Sequence, residues 1–368
     1  MFLLCVPSKD GKLTKIVERL EKGQTPLLRG PETVILDNSG TMYAFARGAK
    51  LVKLDDFQAS PDGDPHTLTA KVTVAADLGH GGPLSGKFTK DGKTLYVTDP
   101  IQGLFRIRNF QNYPKSKIEL VANKVEDSGV MTQILYADDV DIGKSGKVYF
   151  SDATEIPPDR LHDKEDWDMV YASKVDCIRG KRTGRLLQYD PDTEEVKVLA
   201  RDLWFANGIA VDKDESYVVI SQTFAMTLTK YHLKGPKQGT LETVIASNQL
   251  TGFVDGADCS WDNSGKSANK CYVAIPTEIM DVMKLLQIIP HPIDLVIRAL
   301  LMMLPKWLAP EPTDYGCVVE VDMQTGEIRT IQDPDATDMK FLTGVTVHDN
   351  KLFLGSVIAD QVGIYSLS

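Results

Sequence analysis

The sequence is poor in the features that mark several large protein classes. Its five cysteines are spread over 368 residues, which fits neither a zinc-binding pattern nor a dense disulfide framework. The 41 Lys and Arg residues are outnumbered by 51 Asp and Glu residues, and the net charge of −10 argues against nucleic acid as a partner. The sequence contains no P-loop, dinucleotide-binding motif or serine nucleophile elbow. These absences leave a globular protein whose partners are cations or neutral organic molecules.

The N-terminus lacks a long hydrophobic run. The chain begins with MFLLCVPSKDGK, whose apolar stretch is too short for a signal peptide or a membrane span. We therefore expect neither a leader nor an anchor in the chain as given, and the sequence does not indicate a compartment.

A repeated pair of β-strands around a polar turn is the main positive signal. The six copies read VILDNSGTMYAFA, GKFTKDGKTLYVTD, VDIGKSGKVYFSD, IAVDKDESYVVISQ, CSWDNSGKSANKCYVA and VTVHDNKLFLGS. Their turns lie near residues 40, 92, 146, 215, 265 and 350, and most are about 50 to 70 residues apart. Two further strands follow some of the pairs, as in GRLLQYDPDTEEVKVL and GCVVEVDMQTGEIRTI.

Four antiparallel strands repeated six times predict an all-β fold, a six-bladed β-propeller that forms a single domain over residues 1–368. The segment KLTKIVERL is expected to close the ring by adding a strand beside the C-terminal VGIYSLS. A sandwich or a β-helix would not explain four-strand units at this period.

The first strand of each blade lines the central channel, so its first residue points toward the axis. Counting eight residues back from the turn reaches Glu32, Asp138 and Asn207 in three units, while a turn longer by two residues would bring Asp255 into place in the fifth. The second and sixth units give Leu84 and Leu342. Four blades are therefore expected to direct carboxylate or amide oxygens at one point.

Carboxylates that face each other across a narrow channel repel unless a cation lies between them. The ligand set contains only oxygen, which favours Ca²⁺, with Mg²⁺ second, over zinc or copper. The alternative is that these residues only cap turns at the ends of strands. With a metal, Asp138 is the expected ligand, and Asp139 faces the blade or the outer shell of the site.

A helical insertion is predicted at about residues 279–308, between the fifth and sixth pairs. Its two segments flank Pro290 and Pro292, and helical spacing groups its apolar residues as Met280, Val282, Met283, Leu286 and Ile289, then Leu295, Ile297, Leu300, Leu301 and Leu304. Both segments are shorter than a membrane span. We expect a lid over the channel that contacts a membrane peripherally or admits apolar substrates; plain packing on the propeller is the alternative.

Cysteines and histidines offer few further candidates. Cys259 and Cys271 flank one hairpin and could pair, although we expect isolated buried thiols. His80, in GHGGPLSG, is a candidate catalytic residue because it precedes the second inner strand and could reach the channel mouth. The other histidines are expected to be structural.

Several stretches resemble the strictosidine synthase-like family, with the adipocyte plasma membrane-associated proteins as near kin. They read YADDVDI, LWFANGIAVDKDESYVV, YHLKGPKQGTLE, GFVDGADCSWD and FLTGVTVHDNKLFLGSV, and the resemblance runs from about Gly30 to the end. The resemblance implies a six-bladed propeller related to paraoxonases, diisopropylfluorophosphatase and gluconolactonases, which hold calcium with a Glu, two Asn and an Asp. The matching residues here are Glu32, Asp138, Asn207 and Asp255.

The sequence departs from this family pattern at three positions. Asp138 stands where relatives carry Asn, and Gly256 stands where an Asn usually follows Asp255. Thr343 aligns with the catalytic Glu of true strictosidine synthases, and a hydroxyl cannot serve as the acid and base of an iminium cyclisation. We therefore do not expect strictosidine synthesis.

The resemblance implies a calcium-dependent hydrolase of esters or lactones, similar to arylesterases and lactonases, that acts on a small apolar substrate. Asp255 is the expected catalytic carboxylate, because its counterpart in the related hydrolases is both a ligand and reactive. The alternative is a non-catalytic, membrane-associated binding propeller with a structural calcium ion. Family members are usually secretory or membrane-associated.

Overall fold

The computed structural model describes residues 6–7, 11–161, 166–261, 269–290, 292–303, 313, 315–333 and 337–367, and it is mostly β. Two strands near the N-terminus are β1 (Val6–Pro7) and β2 (Leu13–Glu18). The first four-stranded unit contains β3 (Val34–Leu36), β4 (Met42–Ala46), β5 (Lys50–Ala59) and β6 (Thr67–Asp77). The second contains β7 (Ser85–Phe88), β8 (Thr94–Asp99), β9 (Gly103–Arg108) and β10 (Ile118–Ala122).

The third unit is preceded by one hairpin and interrupted by a second hairpin and a helix. A hairpin of β11 (Lys124–Asp127) and β12 (Val130–Gln133) precedes it. Its first two strands are β13 (Ala137–Ile142) and β14 (Val148–Asp152), followed by the short hairpin strands β15 (Asp159–Arg160) and β16 (Trp167–Asp168) and by helix α1 (Met169–Arg179). Its outer strands are β17 (Gly184–Asp190) and β18 (Glu195–Leu203).

The remaining units follow the same plan. The fourth contains β19 (Ala206–Val211), β20 (Tyr217–Gln222), β21 (Thr227–His232) and β22 (Leu241–Ile245). The fifth contains β23 (Ala257–Ser260) and β24 (Lys270–Ile275), then helices α2 (Asp281–Ile288) and α3 (Ile293–Met302), then β25 (Gly316–Asp322) and β26 (Ile328–Asp333). The sixth contains β27 (Gly344–His348), β28 (Lys351–Gly355) and β29 (Gln361–Ser366), and single 3-10 turns lie at Phe110–Asn112 and Ser247–Gln249.

In the fourth unit, burial falls from the first strand to the last. All six residues of β19 are buried, whereas β22 buries only Ile245. In the other units the second strand is more buried than the first, as in β14, where all five residues are buried against four of six in β13. The second strands therefore contribute more of the core in these units, while the first strands also carry polar residues.

The N-terminal strand β2 completes the sixth unit. It pairs antiparallel with β29, with Lys15 opposite Gly363, as the sequence predicted. It also pairs in parallel with β6, so the first and sixth units form one continuous eight-stranded sheet. First strands of successive units contact one another in the order β3, β7, β13, β19, β23, β27 and back to β3.

Neighbouring sheets pack face to face through apolar clusters. Val219 of β20 packs in one cluster with Val273 of β24 and Val319 of β25, all nearly inaccessible to solvent. Another cluster joins Phe45 of β4 to Phe105 of β9. Each such side chain contributes about 1.5–3 kcal/mol by leaving water, so these interfaces stabilise the arrangement of the sheets.

Helix α1 covers the ends of the first strands. Asp168 caps its start by accepting a hydrogen bond from the Tyr171 amide at 3.0 Å, and Gly180 ends it with a left-handed φ of 67°. Ala172 and Cys177 of α1 pack in a cluster with Met283 and Leu286 of α2.

The helices predicted in the insertion are present over the described residues, but their buried faces differ from the prediction. Met283, Leu286, Ile297 and Leu301 pack inward, while Leu295 and Leu300 are exposed. The side chain of Val282, all of Leu304 and the end of the predicted insertion lie outside the described residues. No helix in the described ranges is long and apolar enough to cross a membrane.

The expectation of two isolated thiols at Cys259 and Cys271 is wrong. The two residues are direct cross-strand partners on β23 and β24, with Cα atoms 4.0 Å apart, and they form a disulfide. The spacing of twelve residues concealed this opposition because the turn between them is long. The Cys177 side chain is a buried thiol, and Cys317 is also buried.

Candidate metal centre

The four predicted oxygen ligands line one cavity at the starts of the first strands. Asp138 and Asn207 are the second residues of β13 and β19, while Glu32 and Asp255 each lie two residues before their strands. All but Asp255, which is half-buried, are at most 7% exposed. The structure therefore brings together four side chains that are far apart in the sequence.

Local irregularities in two strands direct neighbouring side chains to different places. The pairing register of β13 shifts between Ala137 and Val140, and that of β19 shifts between Ala206 and Ile209. Bulges of this kind change the direction in which the side chains of a strand point. Asp138 consequently lines the cavity, whereas Asp139 lines a second cavity further along the same strands.

The carboxyl groups at the first cavity are held in a strongly unfavourable environment for charge. Burial, and repulsion from Asp139, raise the pKa of Glu32 to about 8, although a hydrogen bond from Thr343 opposes the shift. Burial, with repulsion from Glu32, raises the pKa of Asp138 and of Asp255 well above the usual range. Lys174 of α1 also borders the cavity, but no cation is among the causes that set these pKa values.

Two hydrogen bonds order the carboxylates. The Thr343 hydroxyl donates to Glu32 Oε2 at 2.9 Å and accepts from the Val357 amide at 3.2 Å. The amide of Asn207 hydrogen-bonds Asp255 and lowers the pKa of that carboxyl, though less than burial raises it. Thr343 thus occupies a supporting position rather than a reactive one.

The donor set fits a hard cation by its chemistry. Three carboxylates and one amide oxygen are the ligands that Ca²⁺ prefers. However, among the described residues no three His, Cys, Asp or Glu side chains are close enough together to form a compact metal cluster. The ligand types therefore match calcium, while the side chains surround the cavity rather than meet at one point.

Four aromatic side chains, called the aromatic wall below, line the same cavity as these oxygen atoms. Tyr136, Phe205, Phe224 and Phe253 form a chain of tilted and edge-to-face contacts, with ring centroids 5.2–5.4 Å apart. All four line the cavity, as do Met169 of α1 and Met280 before α2. The site therefore combines a floor of oxygen atoms with an apolar wall.

The sequence analysis missed this wall, although a signal was present. Tyr136, Phe205 and Phe253 each lie two residues before a predicted ligand, in Y-x-D, F-x-N and F-x-D. A spacing of two places side chains on the same face of an extended strand. Helix α1, which closes one side of the cavity, was not predicted either.

The other residues considered in the sequence differ in whether they reach the cavity. The His80 side chain is exposed and does not line the cavity; its carbonyl accepts a hydrogen bond from Trp167 Nε1 at 2.9 Å. Leu84 lines the cavity as expected. Leu342 packs in a core cluster, and Thr343 takes its place at the cavity. His162 and His291 lie outside the described residues.

The second cavity contains another group of charged residues. Lys87 Nζ lies 3.4 Å from Asp141 Oδ1 and 3.4 Å from Asp258 Oδ1. These carboxylates raise the pKa of Lys87, despite an opposing effect of burial. Asp139 accepts hydrogen bonds from the Ser85 hydroxyl at 2.6 Å and from the Ile209 amide at 2.8 Å.

Comparison with known families gives a consistent result. Residues 138–236 match the strictosidine synthase family. The chain is 27% identical over 291 residues to Strictosidine synthase-like 3 of Arabidopsis thaliana, which covers 78% of this chain and 67% of that protein. It is 26% identical to Strictosidine synthase-like 13 of the same plant over 73% of this chain and 60% of that one. The chain thus spans about two thirds or less of these relatives' length.

A third relative covers more of the chain. The adipocyte plasma membrane-associated protein of Salmo salar is 26% identical over 89% of this chain and 73% of its own length. The family resemblance predicted from the sequence is therefore confirmed.

Solved structures share the fold at low identity. A gluconolactonase from Xanthomonas campestris superposes with a TM-score of 0.57 at 13% identity, over 99% of this chain and 97% of that one. Regucalcin from Agrobacterium tumefaciens, a calcium-binding protein, superposes with a TM-score of 0.50 at 13% identity, over 96% and 95%. These likenesses show a mostly β, propeller-like fold.

Proposed function

We propose that this protein, which carries a strictosidine synthase family domain, is a calcium-dependent hydrolase of esters or lactones. One observation carries the proposal: four oxygen-bearing side chains from four separate strands line one cavity beneath an aromatic wall. Two structural neighbours, a gluconolactonase and a calcium-binding protein, support the same reaction class and ion.

The proposed scaffold is a single six-bladed β-propeller over residues 1–368, with α2 and α3 inserted in its fifth blade. Two observations support six blades: six four-stranded units can be traced, and their first strands contact in cyclic order. A closed ring aims the starts of all first strands at one axis, which is why four distant residues line one cavity there.

The residues that would hold calcium are Glu32, Asp138, Asn207 and Asp255. Bound calcium supplies electrostatic polarisation of a carbonyl oxygen, which favours attack on the carbonyl carbon. The ion would also keep the carboxylates ionised, because an adjacent positive charge offsets the burial that raises their pKa.

Each side chain then has a defined task. Asp255 is half-buried and hydrogen-bonded to Asn207, so it is the carboxylate best placed to accept a proton from water or to attack the substrate. Asn207 orients that carboxylate. Glu32 is fixed by Thr343 and serves only to hold the ion.

The aromatic wall sets the environment of the substrate. Phe205, Phe224 and Phe253 exclude water and offer contact to an apolar acyl or aryl group. A small apolar ester or lactone fits this combination better than a highly polar one. Strictosidine synthesis is not proposed, because Thr343 is bound to Glu32 and cannot act as acid or base.

A substrate panel tests the proposal. Aryl esters, aliphatic lactones and sugar lactones should be offered to the protein in calcium and after chelation, with tryptamine plus secologanin as a further assay. We expect chelator-sensitive hydrolysis of apolar substrates and no strictosidine. If nothing is hydrolysed while calcium still binds, the protein is a non-catalytic binding propeller with a structural ion.

A further inference from the structure

Helix α3 has apolar side chains on both its inner and its outer face. Ile297 and Leu301 pack against the cluster that borders the cavity. On the other side, the following residues are 48–80% exposed: Ile293, Leu295, Val296, Leu300 and Met303. An exposed apolar patch of this kind marks an interaction surface in a globular protein.

Basic residues adjoin this patch although the chain as a whole is acidic. Arg298 Nη1 donates to the carbonyl oxygens of Cys177 and Ile178 at 3.1 and 2.9 Å, which fixes α3 beside the C-terminal end of α1. The chain continues from there as Arg179-Gly-Lys-Arg182, and Lys181 and Arg182 are exposed. Lys284 of α2 is also exposed.

The charge balance of this surface is opposite to that of the whole chain. Its charged residues are Arg179, Lys181, Arg182, Lys284 and Arg298 against Glu155, Asp281 and Asp294, with partial pairing at 2.7–3.4 Å. The balance is +5 − 3 = +2 in a chain of net charge −10. Such a local reversal is what attraction to an anionic surface requires.

We propose that α2, α3 and the segment Arg179–Arg182 form a docking surface for an anionic lipid bilayer. Exposed aliphatic side chains enter the headgroup boundary, and the adjoining cations contact lipid phosphates and carboxylates. The surface combines exposed aliphatic side chains with lysines and arginines in a chain that is otherwise acidic, and lysine is depleted at the centres of protein interfaces. This combination favours an anionic lipid surface over a protein partner.

The proposal does not depend on hydrolase activity. It does place the cavity near the bilayer, because Ile297 and Leu301 pack against residues that line the cavity. An apolar compound dissolved in the bilayer would then meet the protein on the side where the aromatic wall lies.

The test is flotation of the whole protein with vesicles of phosphatidylcholine, with or without 30 mol% phosphatidylserine. We expect binding to the anionic vesicles that weakens at high salt, and a loss of at least about tenfold in Val296→Asp/Leu300→Asp. Val130→Asp/Met131→Asp is the matched control, since these β12 side chains are equally exposed, at 63% and 62%, and lie in a hairpin outside the helices. The control should bind as the parent does.

Lys181→Glu reverses one charge without touching the apolar patch and should weaken binding by at least about tenfold, because the loss of a cation and the gain of an anion both reduce attraction to the anionic surface. The melting curves in calcium of all variants should match that of the parent, which separates docking from folding and from the metal centre. Equal binding by parent and Val296→Asp/Leu300→Asp, or no binding by the parent, overturns the proposal. So does a change from dimer to monomer in the variant during sedimentation without vesicles, which would identify a second copy as the occupant.

Discussion

The same inner strands carry two acidic clusters whose negative charges are balanced in different ways. The first, at the strand starts, contains Glu32, Asp138 and Asp255, and no cation is among the causes that set their pKa values. The second lies further along and contains Asp139, Asp141, Asp258 and the ammonium group of Lys87. In the part of the chain that the structure describes, Lys87 supplies a cation to the second cluster, whereas burial and mutual repulsion raise the pKa values of the first.

The difference shows how a strand can support a binding site and a structural site together. Asp138 and Asp139 are adjacent, yet they belong to different clusters because the bulge in β13 directs them to different cavities. Asp139 is satisfied by Ser85 and by a backbone amide, which fixes the strand that carries Asp138. The second cluster thus provides a rigid base for the first, where a ligand cation is expected.

The largest expected effect is on the rate of hydrolysis, which should depend on the first cluster and not on the second. Asp255→Asn should lower hydrolysis of the best substrate by about a hundredfold or more, because an amide can neither accept the proton nor attack. Asp258→Asn is the matched control in the second cluster and should retain activity within a few-fold per folded molecule. Equal rates for Asp255→Asn and the parent would reduce Asp255 to a ligand at most.

Calcium should stabilise the protein through the first cluster alone. At a free concentration of about 100 times Kd, binding adds about 2.7 kcal/mol, which for a chain of this size raises the Tm by roughly 3 °C. Differential scanning calorimetry after chelation and after titration with calcium measures this shift. A melting curve that calcium leaves unmoved would remove the metal centre.

The pH dependence of the chelated protein follows from the pKa values of the first cluster. The pKa of Glu32 is raised to about 8 in the folded protein, so the folded state binds more protons than the unfolded state between about pH 4.5 and 8. Stability should therefore fall as pH rises through this window, and calcium should flatten the slope by keeping the carboxylates ionised. The check is Tm against pH with chelator and with calcium; parallel curves would contradict the assignment.

Removing the internal cation should destabilise the second cluster. Lys87→Met leaves three neighbouring carboxylates without their ammonium partner, and we expect a loss of about 2 kcal/mol in the free energy of unfolding. The figure is below that for a fully buried pair because the Lys87 side chain is 39% exposed. Urea unfolding gives the value, and adding Asp258→Asn should recover part of it. A variant as stable as the parent would show that Lys87 contributes no net stability.

The smallest effect concerns the support of Glu32. Thr343→Val keeps the shape but removes the donor to Glu32, so calcium affinity should weaken by about tenfold, the low end of the range for one hydrogen bond to a charged group. Thr346→Val on the same strand is the control, because its hydroxyl donates to the Val34 carbonyl and not to a ligand. Isothermal titration should show unchanged affinity in the control, and equal losses in both variants would indicate a general loosening of β27.

Much of this arrangement could be predicted because strand geometry is regular. A fixed count from the turns located Glu32, Asp138 and Asn207, since strands of similar length end in similar turns. The count failed by one residue at Leu342, because the turn between β27 and β28 is only Asp349 and Asn350, both with positive φ. The corresponding turns in the first, third and fourth units have five residues, so this turn is shorter by three. An odd difference in length exchanges the faces of a strand, and Thr343 therefore reaches the cavity.

Other features could not be read from local patterns. The bulge that separates Asp138 from Asp139 depends on pairing with β14, and the Cys259–Cys271 bond depends on the register across a long turn. Lys87 has no distinguishing neighbours in the sequence, since its partners Asp141 and Asp258 come from other units. His80 precedes an inner strand in the sequence, but its side chain faces solvent.

The pairing of β2 with β29 has a consequence for how the protein is made. During synthesis, Leu13–Glu18 leaves the ribosome long before Gln361–Ser366 exists, so β2 can pair in parallel with β6 while its other edge stays open. Contacts between the two ends of a chain give a high contact order and slow the final folding step. Until translation ends, the nascent chain carries an unpaired strand edge that is prone to aggregation, and chaperones are expected to act on it at that stage.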